Sequence, residues 1–447
     1  MTKFRRRPVP YFPGVQHVTL PGMRLHLRRG AANMLWVNAQ NMLFLNKEAA
    51  SIVEAFIKAM WEKGKDSSTF TPHEIEAFVV AEMRKIYRGV NPETLAKDFH
   101  YVYSVIEGVA RGSCPIIDLK LGIQEVDPRS WTAPARMDFA LTYRCNNRCP
   151  HCYADCPRAT EELTTDQCRE VIDLCWTVGI PQMVFDGGEA TLRRDLVELV
   201  SYAAKFITGL VTNGRILGIT KLAEELFSAS LDYVQISLES VSPQIHDHMV
   251  GVEGAWQETV EGILRSKKAG LQVTTNTTLT KENIGQFLET IRFCKNLGLS
   301  SVACNGLICS GRGSCAKKTN GLTDQEVRDV LIKAKDLAGV LGIELQWYTP
   351  SCYKRLNPME LGFGVKHCSA AQYNMMVEPD GRVIPCQSWI HQKLGNILED
   401  SWSSIWGNPI AVALRNGDYG KNDECRNCQY LPTCGGGCPL ERLEVGK

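Results

Sequence analysis

No apolar run in these 447 residues approaches the ~20 that a membrane-spanning helix needs, and no signal peptide opens the chain. Net charge is nearly absent as well. Fifty Lys and Arg against 49 Asp and Glu leave a formal +1, so no global field steers nucleic acid or an anionic membrane toward the protein. The short basic cluster Lys3, Arg5, Arg6 and Arg7 reads as a solvated terminal tail. These absences predict a soluble, cytoplasmic protein that binds neither nucleic acid nor membrane. Cysteine, in contrast, is abundant. The 18 thiols come without an export signal, and a reducing compartment keeps thiols free for metals. Half of them fall in two groups, at 145–152 and from Cys368 to Cys438, which predicts two sets of metal sites.

Residues 14–112 read as a small separate domain. Val15 to Leu20 and Met23 to Arg29 alternate like strands, and Leu35–Val37 and Leu43–Leu45 flank a polar turn. Three helices follow. Asn46 is the expected cap of the first, which places Ala49, Ile52, Val53, Phe56, Ile57 and Met60 on one face. Pro72 opens the second, and Leu95, Phe99, Val102, Ile106 and Val109 stripe the third. Three strands then three helices, joined through Leu45-Asn46-x-x-Ala49, are similar to the winged-helix fold of the PQQ-peptide chaperones. That family's RiPP recognition elements bind the leader of a ribosomally made precursor peptide as an added strand, so the resemblance implies a precursor-peptide partner. A dimerisation or packing domain is the alternative.

From residue 136 strands and helices alternate. Apolar runs end near Leu141, Val184, Val211, Ile236, Thr275 and Val302, each followed by a helical pattern. This predicts parallel strands with right-handed crossovers. Six such units are too few for a closed eightfold barrel, so the expected class is α/β with an open or partial barrel that takes ligands at its strand ends. The first strand leads into Arg144-Cys145-Asn-Asn-Arg-Cys149-Pro-His-Cys152-Tyr153. Three thiolates within eight residues can hold three irons of a cubane and leave the fourth open to a small molecule. A structural zinc loop is the alternative.

This CxxxCxxC run, with His151 before its last cysteine, resembles the signature of the radical S-adenosylmethionine (SAM) enzymes, whose core is a partial (β/α)6 barrel. The resemblance implies a [4Fe–4S] cluster on Cys145, Cys149 and Cys152 with SAM on the open iron. It also implies an external electron donor of flavodoxin or ferredoxin type, and a 5′-deoxyadenosyl radical that abstracts hydrogen from an unreactive carbon. Asp186-Gly-Gly-Glu-Ala190, ending the second strand, resembles the family's Gly-Gly-Glu-Pro motif with Ala190 in place of proline, and implies SAM contacts at Gly187, Gly188 and Glu189. Asn213, Ser237 and Asn276, at later strand ends, are candidate contacts to ribose or carboxylate. Each of these alone reads equally well as an ordinary loop side chain. The segment Ile308–Cys315, after the sixth strand, reads as a glycine-rich loop at the site mouth. There Cys309 is a candidate redox or substrate-contacting thiol and Arg312 a candidate clamp for a carboxylate, or the two thiols at 309 and 315 are incidental.

The C-terminal group has its own pattern: Cys368, then Gly381-x4-Cys386, then Cys425-x2-Cys428-x5-Cys434-x3-Cys438. These spacings match the SPASM domain, whose members hold two auxiliary [4Fe–4S] clusters. The resemblance implies Cys425, Cys428 and Cys434 on one cluster and Cys368, Cys386 and Cys438 on the other. The family's further cysteine is absent from the nine residues after Cys438, so six thiolates stand where two full clusters take eight. Cys352, Cys309, Cys315, Glu441, Glu444, a substrate cysteine, a residue outside this sequence or nothing could stand in. Cys114, Cys156, Cys168, Cys175, Cys294 and Cys304 read as small buried hydrophobes.

The expected division is a peptide-recognition domain at 1–113, a proline-bearing linker at 114–135, the barrel at 136–322, a bridging helix and strand at 323–367 and the cysteine-rich domain at 368–447. The resemblances together imply a radical SAM/SPASM oxidoreductase that closes a thioether or carbon–carbon crosslink in a precursor peptide. The alternatives are a maturase of a protein side chain or a porphyrin-type cofactor intermediate, a peptide epimerase, and a degenerate barrel that serves binding or electron transfer. The peptide, the bond formed, the oligomeric state and the regeneration of SAM are not encoded in any motif.

Overall fold

The computed structural model describes residues 15–20, 23–29, 33–38, 41–64, 71–110, 131–419 and 423–445. The basic cluster at the start, Cys114 and most of the linker expected at 114–135 lie outside them. The chain forms two compact units, one of Pro8–Asp127 and one that includes Pro128–Lys447.

The first unit is an antiparallel meander followed by three helices. Strands β1 (Val15–Leu20), β2 (Met23–Arg28), β3 (Asn33–Val37) and β4 (Asn41–Leu45) pair in sequence order. Leu25 opposes Val37 and Leu27 opposes Leu35, so one face of the hairpin is uniformly apolar. It buries against Val53, Phe56, Ile57, Met83, Phe99 and Ile106 of helices Lys47–Gly64, Pro72–Ile86 and Pro92–Ala110. Asn46 caps the first helix through its Oδ1 to the Ala49 N–H at 2.8 Å, and Thr71 and Glu74 form a capping box around Pro72. The sheet has four strands where three were expected. Asn38, in the left-handed region at φ 54°, follows β3, and the whole Asn41–Leu45 run pairs with β3.

In the second unit β5 (Arg136–Thr142), β6 (Gln182–Gly187), β7 (Ile207–Thr212), β8 (Tyr233–Ser237), β9 (Gln272–Leu279) and β10 (Ser301–Gly306) are successive parallel neighbours. The six expected strands are present, and two features extend them. The short run after helix Asp324–Leu341 becomes a seventh parallel strand, β11 (Glu344–Trp347), on the outer edge. On the opposite edge β12 (Asn374–Val377) pairs with β5 and continues antiparallel into β13 (Arg382–Ile384) and β14 (Gly395–Asn396). The cysteine-rich region is therefore built onto the barrel sheet.

Side-chain alternation sets the two faces of that sheet. Met137, Phe139 and Leu141 of β5, Met183 and Phe185 of β6, and Val234 and Ile236 of β8 pack under the helices. Each fully buried Phe contributes about 1.5–3 kcal/mol by leaving water. On β9, Val273, Thr275, Thr277 and Leu279 are buried, while Gln272, Thr274, Asn276 and Thr278 are half-buried on the other face. That face is concave in a right-handed β/α array and here it is polar. No helix among the described residues is long and apolar enough to cross a membrane.

Candidate active site at the strand ends

Strand β5 delivers the chain into the loop of Cys145, Cys149 and Cys152, and two arginines fix its shape. Arg215 donates through Nη1 to the Asn146 carbonyl at 2.7 Å and Asn147 Oδ1 at 3.0 Å, and pairs with Glu258 at 2.6 Å. Arg312 donates through Nε to the Cys149 carbonyl at 3.1 Å, through Nη1 to Asp155 at 2.9 Å and through Nη2 to the Cys156 carbonyl. Expected to face a substrate carboxylate, Arg312 has its guanidinium engaged by the cysteine loop. Of the segment expected as a loop, Ile308–Gly311 is irregular as expected, while Arg312–Cys315 begins a helix, Arg312–Asn320. A side chain at Gly311 (φ 51°) would meet the Cys152 and Tyr153 carbonyls at 2.7 and 2.6 Å, so this residue must be glycine for the segment to close on the cysteine loop. Cys309 is buried beside it and hydrogen-bonds Lys317.

The three thiols fit a cluster. The Asn147 N–H points to Cys145 Sγ at 3.4 Å and the Cys156 N–H to Cys152 Sγ at 3.3 Å, as donors to thiolate sulfur do. Burial pushes Cys145 up to about 11 and Cys149 well above its ordinary value, whereas the neighbouring Cys156 thiol holds Cys152 down at about 6. Buried thiols of this kind become anions when bound metal supplies the opposing charge. Among the described residues no three His, Cys, Asp or Glu side chains converge tightly enough for one metal ion, whereas the thiolates of a cubane each hold a separate iron. Cys156, expected as a bystander, sits against Cys152. Cys168, Cys175, Cys294 and Cys304 are buried in the core as expected.

The Asp186–Ala190 segment runs alongside the same loop. The Gly188 N–H bonds the Thr142 carbonyl at 2.8 Å and the Glu189 N–H bonds that of Arg144 at 2.9 Å. A Cβ at Gly187 (φ 134°) or Gly188 would collide with those carbonyl oxygens, so the two glycines permit the backbone to approach backbone. The Glu189 carboxylate is 1% exposed and accepts four bonds, from Thr191 N–H (3.1 Å), Thr191 Oγ1 (2.6 Å), Thr212 Oγ1 (2.7 Å) and Asn213 N–H (2.8 Å). Asn213 in turn donates to Asn146 Oδ1 at 2.6 Å. Ser237 and Asn276 lie side by side on β8 and β9. Asn276 donates to Asn305 at 2.8 Å, and its Oδ1 is buried without a partner.

Sequence reasoning passed over several groups. Glu239, buried just after β8, accepts from the Thr278 N–H at 2.9 Å and pairs with His151 at 3.2 Å, which ties the cysteine loop to the β9 end. Glu378, wholly buried in the turn after β12, accepts from Tyr143 Oη at 2.8 Å and Arg158 at 3.2 Å. A buried acid straight after a strand was the signal available for both. Asp186 is the third: burial first, and the nearby Asp138 next, push its carboxyl up to about 7, with Tyr153 Oη 3.5 Å away.

The unfolded chain releases the Asp186 proton near pH 4, the folded chain only near pH 7. Between those values the folded state binds the additional proton, so this group favours folding at the acid end and loses that contribution as pH rises to 7. Asp186→Asn is expected to flatten this part of the pH dependence and to unfold at higher temperature than the native chain above pH 7. Thermal unfolding followed by circular dichroism across a pH series checks it. An unchanged slope would show that Asp186 ionises normally.

The six C-terminal thiols, from Cys368 to Cys438, follow β11 in the chain. Burial pushes Cys386 up to about 12 and Cys438 well above its ordinary value, and the Cys368 charge adds to both, which places Cys368, Cys386 and Cys438 together. Cys425 lies in the short helix Asp423–Arg426, Cys428 follows it with its N–H bonded to the Cys425 carbonyl at 3.1 Å, and Cys434 ends the short helix Leu431–Cys434, where the Gly436 N–H points to its Sγ at 3.2 Å. A groove of about 820 Å³ lined by Arg194, Glu198, Tyr202, Lys221 and Glu224 lies on the outer helices and touches none of these residues.

A parallel partial barrel with a three-thiol loop at its strand ends and a cysteine-rich extension on its sheet defines a class of iron–sulfur protein. Residues 139–294 match the family model of the radical SAM superfamily, and 368–429 match the iron–sulfur cluster-binding SPASM domain. The chain thus carries a radical SAM domain followed by a SPASM domain. The first binds SAM and a [4Fe–4S] cluster, and the second binds auxiliary iron–sulfur clusters. The chain is 28% identical over 326 residues to the Fe-coproporphyrin III synthase of Methanosarcina barkeri, covering 66% of this chain and 81% of that protein. It is 28% identical to the PqqA peptide cyclase of Rhizobium meliloti over 70% of this chain and 84% of that one. In fold it is similar to Streptococcus suis SuiB bound to precursor peptide SuiA, with a TM-score of 0.63 at 16% identity, covering 92% of this chain and 93% of SuiB.

Proposed function

We propose that this radical SAM/SPASM enzyme oxidatively modifies a ribosomally made precursor peptide. The observation that carries the reading is the first unit. Its outer strands β1 and β4 each have one strand neighbour among the described residues, and the likeness to peptide-bound SuiB covers nearly all of the chain. An open strand edge can take an extended peptide as a further strand.

In this reading Cys145, Cys149 and Cys152 hold the open-iron cluster, and Gly187, Gly188, Asn213, Ser237 and Asn276 contact SAM. Glu189 acts through Thr212 and Asn213, whose donors it fixes. When bound, the cluster and SAM supply one-electron chemistry able to take a hydrogen atom from an unreactive carbon, with an external flavodoxin- or ferredoxin-type donor as the electron source. The chain's own contribution is placement. Arg215 and Arg312 hold the cysteine loop in register with the strand ends. The hydroxyls of Thr274 and Thr278, half-buried on the same face of β9, offer a peptide backbone hydrogen bonds. A thioether or carbon–carbon crosslink that closes with loss of two hydrogens leaves an electron to be accepted, a physical use for the thiols at 368–438.

Short peptides co-expressed with the full chain and read by mass spectrometry are expected to include one that loses the mass of two hydrogens. The relatives named as haem and Fe-coproporphyrin III synthases favour a second reading, a porphyrin-type substrate. Conversion of an iron porphyrin with every peptide returned unmodified would select it. A peptide of unchanged composition carrying solvent deuterium at one Cα would instead mark an epimerase.

A further inference from the structure

Arg215 and Arg312 hold the middle of the loop that carries Cys145, Cys149 and Cys152, but a different group closes its two ends. Tyr143 lies two residues before Cys145, and Arg158 six residues after Cys152. The Arg158 N–H bonds the Tyr143 carbonyl at 3.1 Å, and the Arg158 guanidinium carbon lies 3.9 Å from the centre of the Tyr143 ring. Both side chains then converge on one oxygen. Glu378 Oε1 accepts from Tyr143 Oη at 2.8 Å and from Arg158 Nη2 at 3.2 Å. Tyr143 is 1% exposed and Glu378 wholly buried, which shields these bonds from water.

Glu378 belongs to the cysteine-rich extension, in the turn between β12 and β13. That turn is itself tied down. The Glu378 N–H bonds the Arg382 carbonyl at 2.7 Å, and Arg382 Nη2 lies 3.2 Å from Glu378 Oε2. The Leu163 N–H bonds the Pro379 carbonyl at 2.8 Å. Met376 and Ile384 of the same hairpin pack with Tyr143, Ala154 and Cys156, and Cys145 and Cys152 lie against that cluster. Burial raises the Glu378 carboxyl, while Tyr143, Arg382 and Arg158 act in the opposite sense. A buried carboxylate with no partner is costly, and here each oxygen faces an arginine.

We infer that Glu378 is a positioning residue of the radical SAM site, supplied by the cysteine-rich extension. It joins the two ends of the cysteine loop and thereby sets where the three thiols stand relative to the strand ends that take SAM. This rests on the reading of Cys145, Cys149 and Cys152 as cluster ligands. The carboxylate acts through Tyr143 and Arg158.

The test uses the full chain with SAM as the only added substrate. Native protein, Tyr143→Phe, Glu378→Ala, the double variant and Asp380→Ala are reconstituted anaerobically. Asp380 accepts from Arg382 Nε at 2.7 Å in the same turn, so its variant reports what loosening that turn does by itself. The readouts are iron content, unfolding temperature, 5′-deoxyadenosine release against SAM concentration, and the electron paramagnetic resonance signal of the reduced protein with and without SAM. Tyr143→Phe and Glu378→Ala are expected to keep the native iron and to lose the change that SAM makes in the signal. Their release is expected to fall roughly 10–100-fold, as when a group that orients metal ligands is removed. The double variant should be no slower than Glu378→Ala, because the hydroxyl acts through the carboxylate. Asp380→Ala should release at the native rate. Native release with a native SAM-induced signal in Tyr143→Phe overturns the inference, whether or not Glu378→Ala folds. Asp380→Ala as slow as Glu378→Ala overturns it too, since the turn then serves stability alone. Iron and release that survive replacement of Cys145, Cys149 and Cys152 would instead remove the reading beneath it.

Discussion

A chain with Cys145, Cys149 and Cys152 all replaced by alanine is expected to release 5′-deoxyadenosine from SAM only at background, while the reconstituted native chain releases it readily. One neighbouring thiol, Cys156 beside Cys152, cannot replace three thiolate donors. The loop's other polar atoms are already committed: the Asn146 carbonyl to Arg215, the Cys149 carbonyl to Arg312 and the Arg148 N–H to the Val250 carbonyl. Alanine also leaves the loop's anchors intact, since both arginines bind backbone and Asn147 rather than sulfur. The variant should therefore fold, keep the iron held by the C-terminal thiols and lose one cluster's iron. Mass spectrometry of the SAM products, read beside an iron count, separates the outcomes. Release by the triple variant would place the chemistry elsewhere in the chain.

The second large effect is on stability. Glu189→Ala removes one carboxylate and strands four buried donors, two on Thr191, one on Thr212 and one on Asn213. Each orphaned donor costs about 1–3 kcal/mol, and water entering the gap recovers part of that, so a net loss of about 4 kcal/mol is expected. In a unit of this size that lowers the unfolding temperature by roughly 10 °C. Glu189→Gln keeps one acceptor oxygen and should lose about half as much. Thermal unfolding of the three proteins checks the order. A Glu189→Ala protein as stable as native would mean that this carboxylate serves a ligand alone.

The order of the barrel strands, the cysteine loop after the first of them and the cysteine-rich C-terminal domain were all legible in the sequence. Each is a local pattern: period-two apolar runs, close cysteine spacings, a Gly-Gly pair at a strand end. Pro72 and Asn46 announced their helices for the same reason, since capping chemistry acts within one turn. What the sequence by itself determined, then, is the order of the barrel elements and where along them the cysteine-bearing segments fall.

Partners distant in sequence were decided only by the tertiary structure. Nothing local tells that Arg312 reaches back to Cys149, that His151 meets Glu239, or that Asn374–Val377 completes the barrel sheet beside β5. The same holds for the two glycines at 187 and 188, whose close approach is to the Thr142 and Arg144 carbonyls. The physical reason is common to all of them. A hydrogen bond or a close backbone contact depends on where packing brings two segments, and that is set by burial of the apolar faces summed over the whole sheet rather than by the residues that end up touching.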